Sequence, residues 1–348
     1  MRNRFFLSLL LLLTGLSLQA SKAFKANIVV AQDGSGKYTN IQDAINAVPS
    51  NSEKQTIIFI KNGIYDKEKI LVPKDKKNIT MIGESSDKTV ISYHIYDCAD
   101  GYNHRCPAED AMKLTKELLE TSASFTIEGD GFHAENITFQ NTAGPVGQAL
   151  AITVKSDKNI FINCRFLGYQ DTIFLRAKGK RSYFKNCLVV GRTDYIYGAG
   201  IAYFDACEIR SFGGGWITAP ATPKNQAYGI VFNDCKLTYA SKSPRFGDDG
   251  RNIALGRPWQ DYPKVAWIKC YMCKEIDPQG WPTKWHMDYC DTSSELKLYE
   301  YKNYGPGADM SKRAKWACIR KMNEDELQDY SINKVLGGDD HWSPTSLK

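Results

Sequence analysis

The chain has 348 residues, of which 43% are hydrophobic and 24% charged, and its formal net charge is +6. This length allows a large buried core, and all-β solenoids of this size are often single domains. The mild charge and the lack of a prominent Lys/Arg run argue against a nucleic-acid-binding protein.

The first 23 residues are typical of a secretory signal peptide. Two arginines lie within the first four residues, residues 5–18 form an apolar run, and residues 20–23 hold the small side chains of a cleavage site. The apolar run is shorter than the ~20 residues that span a bilayer. We expect a secreted protein, extracellular or periplasmic in a Gram-negative bacterium, with one domain over residues 24–348 and no stable membrane association.

A short strand and a helix come next. Residues 28–33 predict a strand, and Gly34-Ser-Gly36 favours a turn after it. Thr39 or Asn40 can cap a helix over residues 41–48, whose apolar side chains share one face. Such a helix suits a cap over the open end of a stack of strands.

From residue 56 to about 275 the chain is a succession of short β-rich runs separated by turns. Their side chains alternate with a period of two, and several runs align at intervals of about 20 to 28 residues. A propeller blade needs ~40 residues, and a sandwich would not explain cysteines that recur at one place in each unit. The pattern therefore predicts an all-β fold, a parallel β-helix (solenoid).

The tail from about residue 275 breaks this pattern and is rich in tryptophan and tyrosine. A helix is predicted from Asn323, where Glu326 completes a capping box. We expect this C-terminal tail to pack along the solenoid.

Ten cysteines, an even number, favour disulfides in an exported protein. Cys98 and Cys106 could pair locally. Cys270-Tyr-Met-Cys273 with Cys290 and Cys318 leaves a zinc site as an alternative, but the spacing lacks a second Cys-x-x-Cys pair.

Two carboxylates stand out in the repeats. Asp171 and Asp194 are 23 residues apart (194 − 171), the length of one coil, so they should lie on neighbouring coils. Two buried carboxylates that close cannot ionise equally, and such a pair suits one acid and one nucleophile or base. The alternative is that each aspartate caps a turn.

Four motifs stand out along the chain, Gly147-Gln-Ala-Leu-Ala-Ile152, Gly168-Tyr-Gln-Asp-Thr172, Thr193-Asp-Tyr-Ile-Tyr-Gly198 and Leu255-Gly-Arg-Pro-Trp259. They resemble, in the same order, motifs of pectin methylesterases. The likeness runs from Val30-Ala-Gln-Asp-Gly-Ser-Gly36 to Tyr301-Lys-Asn-Tyr-Gly-Pro-Gly307, nearly the whole mature chain. The compact Gly144-Pro-Val-Gly-Gln148 looks more like microbial members of the family than plant ones.

This resemblance implies a right-handed parallel β-helix with an open cleft. It also implies hydrolysis of the C6 methyl esters of pectin (homogalacturonan), giving pectate and methanol, by a monomer that needs no metal or cofactor. The spacing of Cys187 and Cys207 resembles a disulfide of plant members, and a pairing of Cys164 with Cys187 remains a rival.

The resemblance also assigns roles to residues. Asp194 would be the nucleophile, and Asp171 the acid that protonates departing methanol and then the base that activates water. Gln148 and Gln170 would donate hydrogen bonds to the oxyanion. Arg257 would hold Asp194 ionised.

Substrate contacts are implied for Gln148, Arg257, Trp259 and Tyr195, the last two as walls that face the sugar. The chain departs from the family where Phe is usual, since Tyr195 and Tyr197 stand there. Arg192 puts an extra cation next to the nucleophile.

Two other kinds of function compete with this one. A polygalacturonase or a calcium-dependent pectate lyase would share the fold, but the polygalacturonase motifs Asn-Thr-Asp, Gly-His-Gly and Arg-Ile-Lys are absent from the sequence, and a lyase would need a carboxylate cluster for calcium. A non-catalytic carbohydrate-binding solenoid is the second, and the intact Asp171, Asp194 and Arg257 argue against it.

Overall fold

A computed structural model of the chain describes residues 25–97, 122–145, 147–240, 252–260, 262–285 and 287–345. These residues form a right-handed parallel β-helix with few helices, as predicted. The strands are β1 (Ile28–Val30), β2 (Thr56–Ile60), β3 (Gly63–Tyr65), β4 (Ile70–Val72), β5 (Ile79–Gly83), β6 (Thr89–Tyr93), β7 (Ala123–Ile127), β8 (His133–Glu135), β9 (Thr138–Asn141), β10 (Leu150–Val154), β11 (Asn159–Ile162), β12 (Arg165–Leu167), β13 (Ile173–Leu175), β14 (Arg181–Lys185), β15 (Leu188–Gly198), β16 (Ile201–Asp205), β17 (Glu208–Pro220), β18 (Ile230–Asn233), β19 (Lys236–Ala240), β20 (Ile253–Gly256), β21 (Lys264–Ile268), β22 (Tyr271–Met272), β23 (Lys297–Tyr301) and β24 (Ile319–Lys321).

The strands stack in three columns, one strand per coil in each. The first column is an 11-stranded sheet that runs from β1 to β24. The long strands β15 and β17 each cross from the second column to the third, so that the first half of β15 pairs with β12 and its second half with β13. Because these pairs are parallel and, apart from shifts between β15 and β17, in register, equivalent side chains of successive coils lie above one another.

A stack of aromatic side chains fills the inside of the first column. Its members occupy one register position on five successive coils and are Phe161, Phe184, Phe204, Phe232 and Trp267. Neighbouring ring centroids are 4.7, 4.4, 4.9 and 3.8 Å apart, with the rings nearly parallel. This stack explains why aromatic residues recur at the repeat length, since each ring packs on the ring of the next coil.

The recurring cysteines lie three residues after these rings, at the corner that leads out of the first column. The disulfide implied between Cys187 and Cys207 is not formed in the structure, where both are buried free thiols. Each thiol donates instead to a main-chain carbonyl of the preceding coil, Cys187 to Phe161 and Cys207 to Phe184, both at 3.5 Å. The other described cysteines are also free and buried, and Cys98 and Cys106 lie outside the described residues.

The predicted N-terminal helix is present as α1 (Ile41–Asn46). Asn40 caps it, since its side chain accepts a hydrogen bond from the backbone N–H of Asp43 at 2.8 Å. Its buried face contacts β1 and β4 at the N-terminal end of the solenoid. Among the described helices none is long and apolar enough to cross a membrane.

The tail forms two short helices, α2 (Glu324–Gln328) and α3 (Ile332–Gly337). The predicted capping box between Asn323 and Glu326 is present. Arg181 of β14 fixes the end of the tail, because its guanidinium donates to the carbonyls of Leu336 at 3.1 Å and Gly337 at 3.0 Å. The tail therefore packs along the solenoid, as predicted.

We expect Arg181→Met to lower the free energy of unfolding by about 2 kcal/mol, because the carboxylate of Asp157 and two carbonyls of the tail lose their donor. Lys158→Ala is the matched control. Arg181 and Lys158 both pair with Asp340, at 2.6 and 2.8 Å, but the Lys158 side chain is 40% exposed, so its loss should change stability by less than about 0.5 kcal/mol. Urea unfolding measures both, and equal effects would show that Arg181 does not hold the tail.

Candidate active site

A cleft of about 790 Å³ lies on the outer face of the third column. It contains every residue to which the resemblance gives a catalytic role. Its lining residues include Gln148, Gln170, Asp171, Asp194, Arg257, Trp259, Tyr197, Arg192, Trp216 and Trp285.

Successive coils bring the polar side chains together. Gln148 precedes β10, and Ala149 beside it donates to the carbonyl of Gln170 on the next coil at 3.2 Å. Gln170 pairs in turn with Thr193, which places Asp171 directly beside Asp194 on the third coil. The 23-residue spacing is thus one coil, and the predicted juxtaposition of the two carboxylates is present in the structure.

Both aspartates have an unusual backbone. Asp171 has φ 62° and Asp194 has φ 50°, in the left-handed region that few non-glycine residues adopt. Both side chains are nearly buried, with 6% and 5% exposure. Strained, buried carboxylates that face a cleft are typical of functional positions.

Burial raises the pKa of both carboxyls, because it disfavours their charged forms. The pKa of Asp171 is raised well above its ordinary value, since the charge of Asp194 adds to the effect of burial. Burial raises the pKa of Asp194, whereas the hydrogen bonds and the positive charge of Arg257 lower it. The pair therefore keeps a proton on Asp171 while Asp194 ionises first.

Arg257 holds Asp194 with two hydrogen bonds. Its Nε donates to Oδ1 at 3.0 Å and its Nη2 to Oδ2 at 2.5 Å. The guanidinium lies between two indoles, 4.1 Å from the ring centre of Trp216 and 4.0 Å from that of Trp285. The sequence predicted the ion pair but neither tryptophan. The two indoles cover faces of the guanidinium and fix its plane toward the carboxylate, while the Arg257 side chain stays 19% exposed.

Aromatic side chains form one wall of the cleft. Tyr197 stacks on Phe174 with ring centroids 4.3 Å apart, and Trp259 lies against Tyr197 at 5.7 Å. Trp285 extends this wall beyond Trp259, at 6.4 Å. Trp259 therefore lies in the cleft, and its role as a wall that faces the sugar stays a prediction.

Tyr195 is not part of this wall, and its predicted contact with the sugar is wrong. The side chain is fully buried in the solenoid core, and its hydroxyl shares a 2.8 Å hydrogen bond with Ser211. A register shift between Thr193 and Ile196 turns Tyr195 inward. Gly191 leaves room for it, since a Cβ there would lie 2.3 Å from the Cβ of Tyr195.

Arg192 also borders the cleft. It donates to the hydroxyl of Tyr169 at 2.7 Å and to the carbonyl of Gly214 at 3.0 Å. The cleft thus carries a second cation, two residues before Asp194 in the chain. In the part of the chain that the structure describes, no group of three or more His, Cys, Asp or Glu could hold a metal ion.

A family model described as pectinesterase matches residues 27–339. The chain belongs to the pectinesterase family. Similar curated proteins are the probable pectinesterase/pectinesterase inhibitor 13 of Arabidopsis thaliana, 37% identical over 91% of this chain and 49% of that protein, and the pectinesterase/pectinesterase inhibitor PPE8B of Prunus persica, 33% identical over 91% of this chain and 58% of that protein. The chain spans about half the length of the curated relatives it matches.

Solved structures of pectinesterases resemble the chain over nearly their whole length. The pectin methylesterase from carrot is 31% identical with a TM-score of 0.79 and covers 92% of this chain and 96% of its own. A pectin methylesterase in complex with a hexasaccharide is 26% identical with a TM-score of 0.73, covering 92% and 99%. The expected likeness to microbial members is not supported, because the curated relatives named above are plant proteins and the carrot enzyme exceeds PemA from Erwinia chrysanthemi in identity, 31% against 26%.

Proposed function

We propose that this chain hydrolyses the C6 methyl esters of homogalacturonan to pectate and methanol. One observation carries the proposal. Two buried carboxylates lie side by side on neighbouring coils, and of the two only Asp194 is hydrogen-bonded to an arginine. A nucleophile and an acid need opposite protonation states at one pH, and this arrangement supplies both. Family membership and the sugar-sized aromatic wall support the same substrate.

Asp194 attacks the ester carbonyl carbon with its ionised carboxylate. The negative charge that develops on the carbonyl oxygen is stabilised by the side-chain amides of Gln148 and Gln170, which face the cleft from neighbouring coils. The carbon–oxygen bond to the methoxy group then breaks, and Asp171 gives its proton to the departing methanol. The product is an anhydride between Asp194 and C6 of the sugar.

Water completes the cycle. The Asp171 carboxylate takes a proton from a water molecule, which attacks the anhydride carbon. The bond to Asp194 breaks, so the sugar leaves as a carboxylic acid that ionises in solution. Asp171 again holds its proton and Asp194 is again a carboxylate, held by Arg257.

The purified protein should release methanol from highly methylated pectin, and the release should persist when divalent cations are chelated. A gas-chromatographic or enzyme-coupled methanol assay measures this directly. Loss of activity on chelation, with formation of an unsaturated product that absorbs in the ultraviolet, would point to a lyase instead. Binding to pectin without any product would point to the non-catalytic solenoid.

We also propose that the protein is secreted and acts as a monomer. The sequence pattern of a signal peptide over residues 1–23 supports secretion. These residues lie outside the described part of the chain. An extracellular site of action suits the polymeric substrate, which cannot enter a cell. Detection of the mature chain in the medium, starting near residue 24, tests this.

A further inference from the structure

The hydroxyl of Tyr197 is buried in the cleft wall, where the Asp171 carboxyl is a hydrogen-bonding neighbour but no well-aligned bond joins the two groups. The side chain is only 2% exposed and lines the cleft. Leaving such a hydroxyl unpaired costs about 1–3 kcal/mol. The phenylalanine that is usual at this place in the family motif would avoid that cost. The presence of the hydroxyl therefore indicates that it has a function.

The neighbouring rings restrict where the Tyr197 hydroxyl can lie. Phe174 on one side and Trp259 on the other fix the ring by stacking and tilted contact. The hydroxyl lies beside Asp171, and its hydrogen-bonding interaction lowers the pKa of that carboxyl, although the two groups are not aligned for a good bond. Burial and the charge of Asp171 keep the pKa of the Tyr197 phenol well above its ordinary value, so it remains a donor.

We infer that Tyr197 is a positioning residue whose hydroxyl donates a hydrogen bond to Asp171 when Asp171 becomes a carboxylate. In the resting pair Asp171 is neutral and attracts the phenol weakly. Once it has given its proton to methanol, the bond becomes charge-assisted and roughly twice as strong. The inference rests on the proposed function for its timing, since that reaction is what ionises Asp171.

A hydrogen bond to the charged form lowers the pKa of Asp171 in this chain relative to a chain with Phe at the same place. The other charged groups that face Asp171 are Asp194, Arg257 and Asp97. Asp194 and Asp97 raise its pKa and Arg257 lowers it, and all three side chains are retained in Tyr197→Phe. Asp171 must hold its proton to act as the proton donor. The fall of kcat/KM at high pH, the alkaline limb of the pH profile, therefore reports the pKa of Asp171.

Tyr197→Phe should move the alkaline limb of the pH profile of kcat/KM for methanol release to higher pH by about one unit. Above the original limb the variant should then be about tenfold more active than the parent protein. An unchanged limb, or one that moves to lower pH, would overturn the inference. A raised KM with an unchanged limb would also overturn it, since the hydroxyl would then bind the sugar.

Tyr195→Phe is the matched control, because it removes a buried tyrosine hydroxyl two residues away that faces the core and pairs with Ser211. Its alkaline limb should not move, and a shift equal to that of Tyr197→Phe would contradict the inference. Carbon-13 NMR of aspartate-labelled protein, assigned with Asp171→Asn, follows the same carboxyl without turnover. A protein that releases no methanol would refute the proposed function, while this titration would still decide the role of Tyr197.

Discussion

Replacing Asp194 by asparagine should lower kcat/KM for methanol release by about 10⁴-fold or more, which corresponds to a loss of at least ~5.5 kcal/mol of transition-state stabilisation. The amide has almost the same shape as the carboxylate but cannot form the bond to the ester carbon. It also leaves the guanidinium of Arg257, now bonded at 3.0 and 2.5 Å, without a charged partner.

Asparagine is the better substitution here because of the backbone. Asp194 has φ 50°, a conformation that asparagine tolerates and alanine adopts at a cost of about 1 kcal/mol or more. Asp194→Asn should therefore still unfold in one cooperative thermal transition, so that the loss of activity is assigned to the chemistry and not to a loss of the fold.

Asp234→Asn is the control for this variant. Asp234 also has φ 51°, but it is exposed at a turn outside the cleft. It should retain full activity. If Asp194→Asn kept more than about a tenth of the activity, Asp194 would not be the nucleophile and the reaction would have to begin at another group.

The relation between the two aspartates follows from the sequence because it depends only on the repeat. Parallel coils in register convert a spacing of 23 residues into contact between neighbouring coils, and the pairing of Gln170 with Thr193 is that register. The capping of α1 by Asn40 was equally predictable, because a cap involves residues three apart.

The side chains around the aspartates were harder to predict. Alternation along a strand puts residues two apart on one face, yet Tyr195 is in the core and Tyr197 in the cleft. The left-handed backbone of Asp194 and the register shift that follows it break the alternation. Periodicity does not encode such a shift.

The positions of the two tryptophans around Arg257 could not be predicted from the sequence, for a different reason. Trp216 lies 41 residues before Arg257 (257 − 216) and Trp285 lies 28 residues after it (285 − 257). Trp216 belongs to β17 on the coil between Asp194 and Arg257, a position that the exact register of that coil determines. Trp285 belongs to the irregular tail, where no repeat relates sequence to position.

This enclosure leads to the second large effect, expected for Arg257→Met. Arg257 opposes the burial that raises the pKa of Asp194. Without the guanidinium that pKa should rise further, by about 1–3 units. The nucleophile must be ionised, so the acidic limb of kcat/KM should move to higher pH by the same amount. Above that limb the activity should remain about 10²-fold low, because the carboxylate has lost the two bonds that orient it.

Arg257→Lys separates the charge from the geometry. An ammonium keeps the positive charge near Asp194, so the acidic limb should move by less than about one unit. It cannot donate in parallel to both oxygens or lie flat between Trp216 and Trp285, so the activity above the limb should still fall. The pH dependence of methanol release measures both quantities. An unmoved acidic limb in Arg257→Met would mean that burial alone, without the arginine, sets the ionisation of Asp194.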